Sequence, residues 1–309
     1  MEKKKIRFAV WNIYGPTKRP SMTSRGTPLW EQEVRNILWD DENEKSDFVF
    51  LQEIPNPMNT KLKKQFQELN PPERWYDWHS ATDDENYFRG IMLYRKTNDP
   101  EITFDPLGNP DPKHYIGQVY SIRVKGVEIL RFIGFWNVRQ IPGKNAKQQS
   151  PDASLSKETK DYYPLLTAFL ETALPANVPC IIAGDTNVCI SSSEINGKNA
   201  ADCPDRKKLT DFLAQKDLVL INGETGNSPV LETMTHCFLK KKLFRCDLLM
   251  ASRSLQERIC DISIGKPEKY MKCRRCSNLD ICALAGGDPA RYGFESNSDH
   301  LPLFFSFSY

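Results

Sequence analysis

Carboxylate, carboxamide and imidazole side chains adjoin several apolar stretches of this sequence. They belong to Asn12, Glu53, Asp185, Asn187, Asp247, Asp299 and His300. If the ends of the corresponding strands meet, one pocket holds four carboxylates, two carboxamides and one imidazole. Oxygen ligands of this kind suit a hard cation such as Mg²⁺ or Mn²⁺. Closely packed carboxylates also repel one another, and a divalent cation relieves that repulsion.

This set of side chains meets the chemical requirements of phosphodiester cleavage. A bound cation polarises a non-bridging oxygen and stabilises the charge that develops on the leaving group. A carboxylate within reach of a water molecule can orient and deprotonate it. A histidinium or an amide N–H can stabilise the negative charge of the transition state, and a buried aspartate can hold the tautomer of such a histidine.

The stretch at 179–187, with the sequence PCIIAGDTN, combines a buried strand with a polar tip. Its short apolar run is typical of a strand that is covered on both faces. Gly184 removes a side chain where the backbone bends or another group comes close. Asp185 and Asn187 are two residues apart, so in an extended chain they point the same way. Since glycine, aspartate and asparagine also favour turns, this stretch taken alone favours a turn over a site.

The positions of apolar residues predict an α+β fold. Strands are predicted at 6–12, 47–53, 75–80, 87–94, 116–124, 127–137, 180–183, 218–221, 244–251 and 301–307. Helices are predicted at 30–39, 59–69, 154–170 and 205–215, and an irregular segment at 266–298. Many strands with few helices indicate a four-layer α/β/β/α sandwich, in which helices flank two mainly antiparallel sheets. We expect residues 1–309 to form a single catalytic domain.

Composition places the chain among globular proteins with balanced charge. The 309 residues include 42 basic and 40 acidic side chains, so any surface that binds anions is local. The sequence contains no apolar run long enough for a membrane span or a signal peptide, which favours an intracellular, cytoplasmic or nuclear protein. Nine cysteines, an odd number, favour reduced thiols over a disulfide framework. We expect a monomer that does not associate with membranes.

Five short motifs in this order resemble the endonuclease/exonuclease/phosphatase superfamily, with its deoxyribonuclease-I-like fold. They are Trp11-Asn12, Leu51-Gln52-Glu53, Gly184-Asp185-Thr186-Asn187, Arg245-Cys246-Asp247 and Ser298-Asp299-His300. Each motif is weak alone, but together they extend from one end of the chain to the other. The resemblance implies that Glu53 is the principal Mg²⁺ (or Mn²⁺) ligand, with Asn12 and Asp299 nearby.

The same resemblance implies roles for the remaining polar residues. Asp185 would orient or deprotonate the attacking water, and Asn187 would contact the phosphate. His300, oriented by Asp247, would stabilise the transition state. Many superfamily members place a histidine where this chain has Asn137. An amide donates a hydrogen bond but supplies no proton at neutral pH, so this position departs from any mechanism with two histidines.

Within the superfamily the chain is most similar to the tyrosyl-DNA phosphodiesterase 2 group. The likeness lies in the Leu-Gln-Glu-Ile-Pro of residues 51–55, the Tyr-Phe-x-x-Ile-Met-Leu of residues 87–93 and the Gly-Asp-Thr-Asn of residues 184–187. It implies cleavage of a 5′-phosphotyrosyl bond between protein and nucleic acid, with DNA favoured over RNA. Two alternatives remain: a phosphatase that acts on a small ester such as a phosphoinositide or nucleotide, and a nucleic-acid-binding module with little activity.

Three further features have both a functional and a purely structural interpretation. Tyr14 follows Asn12 on a predicted loop and is a candidate for stacking on a base. The basic runs at 240–242 and 272–275 could contact a phosphate backbone or could simply be solvated. Cys273-x-x-Cys276, with Cys282, invites a zinc interpretation but has no second Cys-x-x-Cys pair, so reduced thiols are favoured.

Overall fold

The computed structural model describes residues 4–12, 46–55, 76–80, 89–95, 97, 99–110, 117–136, 163–186, 191–192, 204–222, 236–238, 242–245, 247–265, 300 and 302–309. The strands in these ranges are β1 (Lys5–Asn12), β2 (Phe48–Pro55), β3 (Tyr76–Ser80), β4 (Arg89–Arg95), β5 (Ile102–Gly108), β6 (Gly117–Val124), β7 (Val127–Trp136), β8 (Cys180–Asp185), β9 (Ser191–Ser192), β10 (Leu218–Leu220), β11 (His236–Phe238), β12 (Lys242–Arg245), β13 (Asp247–Ser252), β14 (Ile259–Ile264) and β15 (Leu303–Ser308). The helices are α1 (Tyr163–Ala173), α2 (Pro204–Gln215) and the 3₁₀ helix Arg253–Arg258.

Two six-stranded sheets form the centre of the molecule. Sheet I has the strand order β14-β15-β1-β2-β4-β3, and sheet II has the order β10-β13-β8-β7-β6-β5. Each sheet contains one parallel pair, β1 with β2 and β7 with β8, and its other pairs are antiparallel. A small third sheet has the order β11-β12-β9. The expected pair of mainly antiparallel sheets is therefore confirmed.

The inner faces of the two sheets share one apolar core. Phe8 of sheet I stacks on Phe132 of sheet II with a ring-centroid distance of 5.4 Å, and Phe50 meets the same ring edge-on at 5.7 Å. The outer face of sheet II packs against α1 and α2, through residues such as Phe169 and Leu213. The helices that the sequence predicts at 30–39 and 59–69 lie outside the described residues. No helix in the described part of the chain is both long and apolar enough to cross a membrane.

The parallel pairs lie face to face at the centre of the sandwich. β1 packs over β8, and β2 packs over β7. The second contact is close, because a Cβ added to Gly134 of β7 would lie 2.4 Å from the ring of Phe50 in β2. All four strands end at the same edge of the sandwich, and β13 begins there, opposite the end of β8. This edge is where the polar side chains predicted to form a site come together.

The stretch at 244–251, predicted as one strand, belongs to two strands of different sheets. β12 ends at Arg245 and belongs to the small third sheet, whereas β13 begins at Asp247 and belongs to sheet II. Apolar residues stand on both sides of the junction, such as Phe244 and Leu248, so hydrophobicity alone does not show that the stretch belongs to two sheets. The two strands have different partners: Arg245 pairs with Ser191, and Asp247 pairs with Asp185. The break allows Asp247 to begin its strand at the polar edge.

Candidate active site

Asn12 and Asp185 connect the two sheets at the polar edge. The side chains that precede them by two residues, Val10 and Ala183, belong to the core between the sheets. Because side chains alternate along a strand, Asn12 and Asp185 also face that inner space. The Asn12 amide nitrogen donates a hydrogen bond of 2.9 Å to the Asp185 carboxylate. Both residues are buried, so a carboxylate is held rigidly at the carboxyl end of a central strand.

Asp247 and His300 complete a buried chain of polar contacts. Asp247 stands directly opposite Asp185 in the antiparallel pair of β13 and β8. His300 Nδ1 lies 2.7 Å from Asp247 Oδ2, and His300 Nε2 lies 3.9 Å from Asp185 Oδ2. The side chains of these residues are at most 6% exposed. Like charges that face each other across a strand pair are destabilising, and an imidazole placed between two carboxylates offsets that repulsion.

The Asp247 contact determines which nitrogen of His300 carries the proton. An ionised carboxylate only accepts hydrogen bonds, so the imidazole must donate through Nδ1. Nε2 then faces Asp185, as a lone pair in the neutral ring and as an N–H in the imidazolium. The arrangement therefore holds a histidine in one orientation and directs its second nitrogen towards the carboxylate at the end of β8.

Two residues that the sequence did not single out as site residues hold this arrangement in place. The Trp11 indole nitrogen donates a 2.9 Å hydrogen bond to the backbone carbonyl of His300. The Asn222 amide donates to the carbonyl of Asp247 and accepts from the backbone N–H of Leu249, both at 2.9 Å. Asn222 follows β10 and thus extends the β10–β13 ladder through its side chain. Its only sequence signal is an asparagine just after a short apolar strand.

Gly184 allows the end of β8 to approach β7. Its φ is +156°, and a Cβ at this position would lie 1.9 Å from the carbonyl oxygen of Phe135. The expected close approach is confirmed, and the alternative of a turn is wrong, because Gly184 and Asp185 both belong to β8. A side chain at 184 would push apart the two parallel strands that end beside the site.

We expect Gly184→Ala to destabilise the protein by about 3 kcal/mol or more, because the clash is with backbone rather than with a movable side chain. Gly126→Ala is the matched control: its φ is +79°, and nothing lies within 4 Å of an added Cβ. That change should cost only about 1 kcal/mol of backbone strain. Urea unfolding of both variants separates the two costs, and equal unfolding midpoints would contradict this account of Gly184.

The site also has the donor atoms that a divalent cation requires. One carboxylate oxygen each of Asp185 and Asp247 and one nitrogen of His300 lie within 4.8 Å of one another. The 2.7 Å contact between Asp247 and His300 is a hydrogen bond, however, so those two atoms cannot both bind a metal. Asn12, whose amide nitrogen donates to Asp185, also carries an amide oxygen of the kind that hard cations bind. An oxygen-rich site beside Asn12 therefore fits such a cation.

The described residues include some, but not all, of the predicted site. Asn12, Asp185, Asp247 and His300 come together as described above. Glu53 belongs to β2, and the pairing of β2 with β4 shifts register between Gln52 and Ile54, around Glu53. Bulges of this kind are common beside active sites. The predicted residues that lie outside the described ranges are Tyr14, Asn137, Asn187, Asp299, Lys240, Lys241, Cys273, Cys276 and Cys282.

Comparisons with known proteins show which fold and family this chain shares. The structure is similar to an AP endonuclease from Leishmania major (14% identity, TM-score 0.58, covering 99% of this chain and 88% of that chain). It is also similar to a 3′–5′ exonuclease from Neisseria meningitidis (14% identity, TM-score 0.56, covering 98% of this chain and 100% of that chain). A third similar structure is an AP endonuclease from Archaeoglobus fulgidus (16% identity, TM-score 0.56, covering 98% of this chain and 99% of that chain). At these identities the likeness shows the fold. A search of curated proteins found no match.

The sequence itself matches the Endonuclease/Exonuclease/phosphatase family over residues 9–223, so the chain belongs to that family and is a hydrolase of phosphoric esters.

Proposed function

We propose that the protein is a divalent-metal-dependent phosphodiesterase that acts on nucleic acid. The observation that carries this proposal is the buried contact chain Asn12–Asp185–His300–Asp247. It places a rigid carboxylate, an oriented imidazole and an amide at one edge of the sandwich. A solvated surface cluster would lack this burial and these fixed orientations.

Asp185 is the proposed general base. The attacking water forms a bond from its oxygen to phosphorus while its proton passes to the Asp185 carboxylate. The bond between phosphorus and the leaving oxygen breaks, and its electron pair stays on that oxygen. Asn12, which donates to Asp185, keeps the carboxylate from rotating away from the water. A positioned general base of this kind contributes roughly 10²- to 10⁴-fold to the rate.

His300 is the proposed stabiliser of the negative charge on phosphorus. Asp247 holds its ring through Nδ1, so in the imidazolium form Nε2–H would donate to a phosphoryl oxygen beside Asp185. Asp247 itself acts through His300 and is a positioning residue. Asn137 and Asn187 are further proposed catalytic residues, which would donate amide hydrogen bonds to the phosphate. Asn187 and Tyr14 are further proposed contacts to the substrate.

Mg²⁺ or Mn²⁺ is the proposed cofactor, held by Glu53, by the amide oxygen of Asn12 and by Asp299. Oxygen-only ligands suit these hard cations, and the hydrogen bond from its amide nitrogen to Asp185 fixes the orientation of the Asn12 side chain. When bound, the cation supplies Lewis-acid polarisation of the phosphate and neutralises negative charge on the leaving oxygen.

DNA is the proposed polymer, and a 5′-tyrosyl-linked end is the proposed special substrate. Support for DNA comes from the fold likeness to proteins that are named AP endonucleases and a 3′–5′ exonuclease. Support for a tyrosyl-linked end comes only from the short motifs at 51–55, 87–93 and 184–187. We further propose that residues 1–309 act as one catalytic domain and as a monomer.

The test is a substrate panel with the full-length protein and Mg²⁺. The panel contains single- and double-stranded DNA, abasic-site DNA, RNA, a 5′-phosphotyrosyl oligonucleotide, a phosphoinositide and a nucleotide. We expect cleavage of at least one polynucleotide substrate, complete loss of cleavage with EDTA, and recovery with Mg²⁺ or Mn²⁺ but not with Ca²⁺ alone, since catalysis needs the tighter octahedral cation.

Other outcomes of the panel would contradict the proposal. Phosphate release from the phosphoinositide or nucleotide with every polynucleotide intact would identify a small-ester phosphatase instead. Tight oligonucleotide binding with no turnover under any metal would identify a binding module. Cleavage that persists in EDTA after prolonged dialysis would exclude the proposed metal dependence while leaving the substrate class intact.

A further inference from the structure

Gln52 and Trp136 occupy equivalent places on either side of the bridge between Asn12 and Asp185. Gln52 pairs in register with Asn12 in sheet I, and Trp136 pairs in register with Asp185 in sheet II. Each therefore lies one strand, or about 4.8 Å, from a member of the bridge. Both lie in the same direction from the bridge, because β2 packs over β7.

Both side chains face the space between the sheets. Trp136 belongs to the core cluster there, and Phe50, two residues before Gln52 in β2, belongs to it as well. Phe50 contacts Gly134 across the inner space, and Gln52 and Trp136 follow these two residues by two positions on the same faces of β2 and β7. Both lie on the side of Asp185 away from Asp247.

The polar atoms of both residues are buried without hydrogen-bond partners. Gln52 is 0% exposed, and neither its amide nitrogen nor its amide oxygen has a partner within the part of the chain the structure describes. Trp136 is 3% exposed, and its indole nitrogen likewise has no hydrogen-bond partner among the described residues. A buried polar group without a partner is rare in native proteins because its desolvation is uncompensated. Two such residues, each one strand from the bridge between Asn12 and Asp185, point to a ligand that completes their hydrogen bonds.

We propose that Gln52 and Trp136 form an oxyanion subsite that binds a non-bridging oxygen of the scissile phosphate. The two side chains offer three neutral N–H bonds, two from the Gln52 amide and one from the Trp136 indole. Neutral donors in a buried site stabilise an oxyanion without carrying a charge that must itself be desolvated. His300 flanks Asp185 on one side and this subsite flanks it on the other, so the phosphate would be held from both sides of the general base.

Their complete burial does not separate these residues from the substrate. Asn12 and Asp185 are 0% exposed in the same structure, and the proposed mechanism requires the substrate to reach both. Burial alone therefore does not exclude Gln52 and Trp136 from contact with the reacting phosphate. This inference rests on the proposed phosphodiesterase function and adds two residues to its machinery.

The test compares Gln52→Leu and Trp136→Phe with wild type. The probes are bis(p-nitrophenyl) phosphate and an oligonucleotide that the wild type cleaves. Loss of one oxyanion donor costs on the order of 10²-fold in kcat in other hydrolases, so we expect kcat to fall about 10- to 100-fold for each variant, with KM changed less than about threefold. Inhibition by orthovanadate, an oxyanion that mimics the transition state, should weaken by a similar factor.

Thermal stability distinguishes this role from a structural one. Leucine removes an unpartnered buried amide while keeping similar volume, so Gln52→Leu should leave Tm unchanged or raise it. The matched control is Gln118→Leu, since Gln118 is also buried and has an unpartnered amide oxygen, but lies one strand further from Asp185. Its kcat should stay within about twofold of wild type. In the double variant that combines Gln52→Leu with Trp136→Phe, the loss of kcat should be smaller than the product of the two single losses, because both donors serve the same oxygen.

Two results would overturn the inference. If Gln52→Leu keeps wild-type kcat and vanadate inhibition, the amide does not contact the phosphate. If its Tm falls while kcat is kept, the amide binds ordered water in a structural role. Trp136→Phe also removes ring volume and could therefore lower Tm for a structural reason. If it does, the kcat and vanadate inhibition of Gln52→Leu decide the question. A wild type inactive on every phosphodiester would instead contradict the proposed function.

Discussion

Asp185→Asn should reduce kcat on a cleaved oligonucleotide by about 10³-fold or more, because an amide cannot accept the proton of the attacking water. KM should change little, since asparagine keeps the size of the side chain and an oxygen that accepts the hydrogen bond from Asn12. The loss of kcat should be the same over the accessible pH range, because no other general base takes the place of the Asp185 carboxylate beside the attacking water. Steady-state kinetics with Mg²⁺ at saturating substrate measures the effect.

Stability should move in the opposite direction from activity in this variant. Asp185 faces Asp247 across the β8–β13 pair, so removing one of the two carboxylates relieves like-charge repulsion. The free energy of unfolding should stay constant or rise by up to about 1 kcal/mol. The matched control is Asp105→Asn, which removes an exposed carboxylate that pairs with Arg123 at 2.8 Å and should leave both kcat and stability close to wild type. An Asp185→Asn variant with more than about a tenth of wild-type kcat would contradict the role as base.

The sequence predicts the central strands and their polar ends because both depend on local pattern. Lys5–Asn12 and Cys180–Asp185 are largely apolar strands that end in a polar residue, and in Phe48–Pro55 an apolar run is followed by Gln52 and Glu53. A long apolar run followed by an amide or carboxylate does not need the rest of the fold to be identified. The prediction that Asn12 and Asp185 lie near each other also follows, because strands at the centre of a sandwich end at a common edge.

Sequence pattern misses two of the four edge strands of the large sheets, β5 and β14, although it predicts the other two, β3 and β10. β5 (Ile102–Gly108) contains Pro106 and Gly108, which normally argue against a strand, and β14 (Ile259–Ile264) contains Asp261 with φ of 52°. Both lie at the edge of a sheet, where one side of the backbone needs no partner strand. Proline, bulges and exposed side chains are tolerated there, so the usual signals of a strand are weak.

Residues whose role depends on tertiary register are equally invisible to local pattern. Trp11 and Asn222 hold the backbone of His300 and Asp247, which are distant from them in the sequence. Gln52 belongs to a short motif, but only its register with Asn12 and the packing of β2 over β7 place it, like Trp136, beside the site. A buried amide without a partner is a property of the folded molecule, since the same residue in a peptide is simply hydrated.

His300→Ala should reduce kcat by about 10²- to 10⁴-fold, and Asp247→Asn should cause a loss in the same range. The reason for the second loss is the tautomer: an asparagine amide can donate to Nδ1, which allows the proton to move to Nε2 and misdirects the ring. If Asp247 acts only through His300, the double variant should be no worse than His300→Ala alone. Kinetics of the two single variants and the double variant measure this coupling.

A second histidine–aspartate pair provides the control for this prediction. His79 Nε2 lies 2.6 Å from Asp77 Oδ2 on β3, at the edge of sheet I, with 30% and 18% of their side chains exposed. His79→Ala removes a similar pair away from the bridge between Asn12 and Asp185, so kcat should remain within about twofold of wild type. Multiplicative losses for Asp247→Asn and His300→Ala would show that Asp247 contacts the substrate or metal independently. A large loss in His79→Ala would show that the effect at His300 does not depend on its place beside Asp185.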